Sequence, residues 1–235
     1  MISKVIKALQ NPMLITRIFF RLPHKLAEEY YVRVDSLSLK NSEKVLFADL
    51  GANLGQGYSW FSKHFNSANI YFELFEPNPN CYEHLMQIPT VRSGSVKVHN
   101  VGVGATSGKF KFYGLAEDEG GKVSQGGSIV RDHNSWYSAS VKESMDVEII
   151  RFSEYLIEKS KSYKKIIVKM DIEGAEVELL EAMIADKSID LIDLLYVEFH
   201  SPFQEKGMSK ITRKREDEIV RQLKLNDKVK LRIWH

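Results

Sequence analysis

The run FADLGANLGQG, residues 47–57, constrains this chain more than any other stretch. Phe47 to Leu50 is a short apolar segment that reads as a buried strand, carries the acid Asp49, and runs directly into Gly51, Gly55 and Gly57. Glycine permits backbone angles and close approaches that a side chain would block. The run therefore predicts a strand, a tight turn, and a helix whose first N–H groups face a ligand. A dinucleotide fingerprint needs a glycine where Asn53 stands, so NAD is disfavoured. Asparagine tolerates left-handed geometry, and the turn itself survives the exchange.

IYFELFEPNP, residues 70–79, is a second apolar strand ending in an acid, and Glu76 follows Gly51 by 25 residues. That is the offset of a carboxylate that accepts hydrogen bonds from two ribose hydroxyls. Pro77 and Pro79 stop the strand and leave the carboxylate at its end. In VKMDIEGAEVELLEAM, residues 168–183, a strand from Ile166 to Met170 gives way to Asp171 and Glu173. A helix then buries Ala175, Leu179 and Met183. YVEFH, residues 196–200, puts Glu198 and His200 at alternate positions of one strand, hence on one face. All these acids fall at the carboxyl ends of strands, the ligand-binding edge of an open parallel sheet.

Asp49-Leu50-Gly51-Ala52-Asn53-Leu54-Gly55, Phe75-Glu76-Pro77-Asn78-Pro79 and Lys169-Met170-Asp171-Ile172-Glu173-Gly174-Ala175-Glu176 together resemble the FkbM-type methyltransferases. The likeness spans roughly residues 44–200. It implies S-adenosyl-L-methionine as cofactor and O-methylation of a hydroxyl on a sugar, glycan or similar small acceptor. Position by position, it implies that Asp49, Gly51, Asn53, Gly55 and Gln56 hold the methionine part and that Glu76, Pro77 and Asn78 meet the ribose. Asn100, Val101 and Gly102 would meet the adenine, with Asp171 bordering the cofactor. Ser153 departs from the pattern, standing where the family often has aspartate, and the sequence after residue 200 provides one terminal strand where a hairpin is usual.

Methyl transfer to oxygen requires removal of the hydroxyl proton, and Asp171 is the first candidate base with His200 second. Glu173 and Glu198 would orient the acceptor or the base. No ligand spacing demands a metal and none is expected, although Asp171, Glu173, Glu198 and His200 together offer ligands for a divalent cation.

The 235 residues suffice for one sizeable core, giving a doubly covered α/β sandwich with a mostly parallel central sheet over 41–235 and an N-terminal basic helical extension over 1–40. Further strands are read at Val96 to Val101 and Lys109 to Tyr113. The single cysteine, Cys81, reads as a core thiol, excludes an internal disulfide and suits a cytoplasmic setting. A net charge of +2 does not by itself indicate a nucleic-acid partner. Residues 1–27 carry five basic residues and no acid around apolar Met13 to Phe20. Such a segment suits either peripheral contact with an anionic membrane surface or an N-terminal helix packed on the core. Arg17 interrupts its apolar run, which is too short to span a bilayer.

Gly126, Gly127 and Ser128 read as a lid over the site or as plain surface loop, and Trp136 and Tyr137 as sugar-stacking or anchoring aromatics. Lys210 to Leu225 reads as a basic helix burying Ile211, Ile219, Val220 and Leu223, followed by a strand from Val229 to Trp234. That helix leaves open an RNA or protein methyltransferase docking through its basic face, and a non-catalytic cofactor-binding module also stands.

Overall fold

The computed structural model describes residues 12–114, 126–131, 133, 144–204 and 206–234, with the side chains of 12–24 and 206 left undescribed. Trp136, Tyr137 and most of the loop read as a lid lie outside the described residues. The chain forms two compact units, one ending at Asn41 and the other running from Ser42 to Trp234. The first contributes a single long helix, α1, Pro12–Leu39, on which Leu26, Tyr30 and Leu37 are exposed. No helix among the described residues is long and apolar enough to cross a membrane.

The second unit is built on six strands: β1 Val45–Leu50, β2 Ile70–Phe75, β3 Val96–His99, β7 Lys165–Met170, β8 Leu194–Val197 and β9 Lys230–Ile233. They pair in the order β3-β2-β1-β7-β8-β9, every pair parallel. The central strands are apolar nearly throughout because both faces are covered. On one face Leu46, Ala48 and Leu50 of β1 and Ile166, Val168 and Met170 of β7 share a core with three helices. These are α5 Phe152–Ser160, α6 Glu176–Ala185 and α7 Lys206–Leu225. On the other face Phe47 packs against Phe61 of α2, Gln56–Phe61, and against Phe65 and Phe72. The three-layer α/β architecture is the one expected.

Two short helices, α3 Pro79–Leu85 and α4 Pro89–Arg92, lead into β3, and Asn78 caps α3 by accepting from the Asn80 N–H. A second, three-stranded sheet joins β4 Gly102–Gly104, β5 Gly108–Phe112 and β6 Met145–Arg151, with β6 parallel to β4 and antiparallel to β5.

Several sequence expectations need correcting. The strand from Val96 stops at His99, and Gly102 begins a strand of the second sheet instead. β8 stops at Val197, so Glu198 and His200 lie beyond the strand. α7 begins at Lys206 and buries Thr212, Glu216, Ile219 and Leu223, while Ile211 is exposed. The reason is Glu216, whose carboxylate accepts from the N–H and the hydroxyl of buried Ser201, so a polar residue occupies a core-facing position.

Candidate functional site

The carboxyl ends of β1, β2, β7 and β8 open onto a cavity of about 450 Å³. Its floor is the turn after β1. Gly51 has φ +78°, and a Cβ there would overlap the backbone oxygen of Asp171, so the β1 and β7 turns can approach this closely only with glycine. Asn53 adopts the left-handed conformation, with φ 46°. Gly57 lies inside α2 and not in the turn, where a Cβ would sit 3.0 Å from Asp49 Oδ2.

Glu76 is almost wholly buried and accepts from the N–H groups of Asn53 at 2.7 Å and Asn78 at 2.8 Å, which clamps the two turns together. Burial pushes its carboxyl up to about 7, against the pull of those two amides and of Lys169. Gln56 accepts from the Leu54 N–H and donates to Asn53 Oδ1, bracing the same turn.

The other wall is the turn after β7. Lys169, 3% exposed, ion-pairs with Asp49 Oδ1 at 3.1 Å and Asp171 Oδ2 at 3.2 Å and donates to the Gly51 carbonyl. Burial works against its ammonium, but the charges of Asp49 and Asp171 hold its pKa above the ordinary value. Glu173 takes the left-handed conformation, with φ 54°, a sparsely populated state for a residue with a side chain. Its carboxyl is pushed up to about 8, chiefly by burial and further by Asp171, Glu176 and Glu198, with His200 opposing. Glu198 is raised for the same leading reason.

His200 is held by Glu176. The imidazole Nδ1 donates to Glu176 Oε1 at 2.9 Å, and that carboxylate also accepts from the N–H groups of Ile172 and Gly174. The Nε2 edge faces Glu173 Oε2 at 3.4 Å and Asp171 Oδ1 at 3.6 Å. Burial disfavours the imidazolium, yet the hydrogen bond to Glu176 and the surrounding carboxylates raise His200 to about 10. An imidazolium at neutral pH is a donor, not a base.

The structure gathers Gly51, Asn53, Gln56, Glu76, Pro77, Gly102, Asp171, Glu173, Glu198 and His200 around one cavity. Asp49, Gly55, Asn78, Asn100 and Val101 are not in its lining. Asp49 lies behind Lys169, Gly55 is the N-cap of α2, and Val101 packs against the core. Asn100 donates to the carbonyls of Glu76 and Pro77 and so shapes the turn below Glu76. Gly127 lines the cavity and Ser128 donates to the Glu173 carbonyl, so this piece of the loop lies on the site.

Sequence reasoning missed Lys169, Glu176 and two tryptophans. A lysine inside an otherwise apolar central strand needs a buried partner, and that was a readable signal. Trp60 and Trp234, which meet at 4.7 Å between ring centroids and line the cavity, come from elements 174 residues apart and gave none.

Residues 49–227 match the family described as the methyltransferase FkbM domain. The chain belongs to that family. It is similar to the hexuronic acid methyltransferase AglP of Haloferax volcanii, at 26% identity over 163 residues, covering 69% of this chain and 59% of AglP. The chain thus spans about three fifths of the length of that curated relative. A crystal structure titled methyltransferase FkbM, from Methylobacillus flagellatus, aligns with 63% of this chain and 30% of its own at 16% identity and a TM-score of 0.36.

Proposed function

We propose that this FkbM-family chain is an S-adenosylmethionine-dependent O-methyltransferase acting on a hydroxyl of a neutral sugar or glycan. The observation that carries the reading is the charge of the cavity. Four carboxylates (Glu76, Asp171, Glu173 and Glu198) line it against two cationic side chains, Lys169 and His200. Burial holds protons on Glu76 and Glu173 near neutrality, and a cationic ligand such as a sulfonium would favour their ionisation in this partly enclosed site. The residues present fit that cofactor: Gly51, Ala52 and Asn53 line the cavity, and Glu76, fixed by two amides, keeps lone pairs for two vicinal hydroxyls.

When bound, S-adenosylmethionine supplies an electrophilic methyl group on sulfur. The protein's part is to align an acceptor oxygen with that methyl group and to remove its proton. Asp171, which lines the cavity and ion-pairs with Lys169 at 3.2 Å, is the group assigned to take the hydroxyl proton. His200, cationic and anchored by Glu176, is suited to donate to the acceptor and to stabilise negative charge developing on its oxygen. Trp60 and Trp234 offer the flat faces that a sugar ring packs on.

AglP is described as acting on a hexuronic acid. The acid-rich cavity here supports a neutral acceptor over an anionic one. The basic helix lends little to an RNA partner, since Arg215 pairs with Glu181 and Arg221 with Glu218. The test uses radiolabelled cofactor and a panel of neutral and uronic sugars. Asp171→Asn should leave cofactor affinity near the wild-type value and lower turnover by about a hundredfold. A variant that turns over normally would remove Asp171 from the role, and exclusive use of uronic acids would overturn the neutral-acceptor assignment.

A further inference from the structure

We propose that Asp171, Glu173 and His200 form a binding site for a divalent cation of the Mg²⁺ or Mn²⁺ class. One ligand atom from each residue lies within 4.8 Å of the other two. The separations from His200 Nε2, 3.4 Å and 3.6 Å, are long for hydrogen bonds but suit ligands of one ion. Atoms about 2.2 Å from a shared cation and that far apart subtend about 105°, between octahedral and trigonal values.

His200 gives the independent sign. Its side chain is only 7% exposed, its Nδ1 is committed to Glu176, and its Nε2 has no hydrogen bond among the described residues. A carboxylate that fixes one ring nitrogen and aims the other is the usual support of a metal-binding histidine. The carboxylates agree. Asp171 spends Oδ2 on Lys169 and turns Oδ1 toward the histidine, while the Glu173 carboxylate accepts no hydrogen bond among the described residues. Oxygen ligands with one imidazole and open positions toward a cavity favour Mg²⁺ or Mn²⁺ over soft metals.

The cation's role rests on the methyl-transfer reading, whereas the site does not. An ion here would hold the acceptor oxygen and lower the pKa of its hydroxyl. With the ion bound, His200 releases its Nε2 proton to coordinate and Asp171 serves as a ligand in place of the base, so Glu198, which lines the same cavity outside the ligand set, receives the hydroxyl proton. The acceptor O–H bond breaks, its oxygen takes the methyl group, and the sulfur keeps the electron pair of the broken S–C bond.

The experiment is a titration of the full chain with Mn²⁺, followed by the paramagnetic resonance signal of the free ion, with and without S-adenosylmethionine. One equivalent should bind, and His200→Ala and Glu173→Gln should each weaken it at least about tenfold while cofactor binding, measured on the same samples, shows the variants folded. Absence of Mn²⁺ binding by protein that binds cofactor, or binding that neither substitution weakens, would overturn the site and leave the methyltransferase reading intact. Mn²⁺ binding by protein that takes no cofactor would do the reverse.

Discussion

Glu76 is the residue on which the two turns of the site depend, and its titration gives a signed prediction. In the folded chain its carboxyl sits near 7, against an ordinary value of 4.5. The folded state therefore keeps a proton that the unfolded chain has already released, and stability from this group, complete below pH 4.5, is lost as pH rises through 7. The ionisable groups facing it are Asp49 from β1, Lys169 from β7 and Cys81 from α3. Relative to Glu76→Gln, the ligand-free wild type should lose about 2 to 3 kcal/mol between pH 5 and pH 8, read from urea unfolding at both values. Parallel curves for the two proteins would contradict it. The place of this acid was legible, because a strand ending in a carboxylate at the right offset from a glycine turn is a local pattern. Its clamping of the Asn53 and Asn78 amides was not, since those bonds depend on how closely β1 and β2 lie.

At the scale of elements, β7 organises the site through a residue that a central strand would ordinarily exclude. Asp49 and Lys169 are register partners on adjacent parallel strands and point to the same face, both almost fully buried. Lys169→Met would leave Asp49 without its counter-charge and should cost about 3 to 5 kcal/mol, measured by chemical denaturation. A loss below about 1 kcal/mol would show that the pair is dispensable. Apolar runs made β1, β2, β7 and β8 readable, because strands covered on both faces need no polar alternation. The second sheet was half hidden. The alternation of Lys109 to Tyr113 marked β5, but its partner β6 comes after a long aperiodic stretch and is largely polar where exposed. The register of α7 misled for a different reason, since Glu216 reaches the interior only because Ser201 is there to satisfy it.

For the molecule as a whole, composition revealed little: a net charge of +2 conceals a cavity in which carboxylates outnumber cations two to one. Topology is what concentrates these acids. All four acids come from the carboxyl ends of parallel strands or the turns that follow them, so an all-parallel order brings them to one edge. The side of the cavity lined by Trp60 and Trp234 was less legible than the Glu76 side, because Trp60, Trp234 and Gly127 join it only through long-range packing. The most direct test of the central claim is calorimetric titration of the full chain with S-adenosylmethionine, its demethylated product and NAD, repeated on Glu76→Ala. Micromolar binding of the first two and none of NAD is expected, weakened by about 1 to 3 kcal/mol in the variant. Failure to bind either sulfur compound, or binding that Glu76→Ala leaves unchanged, would contradict it.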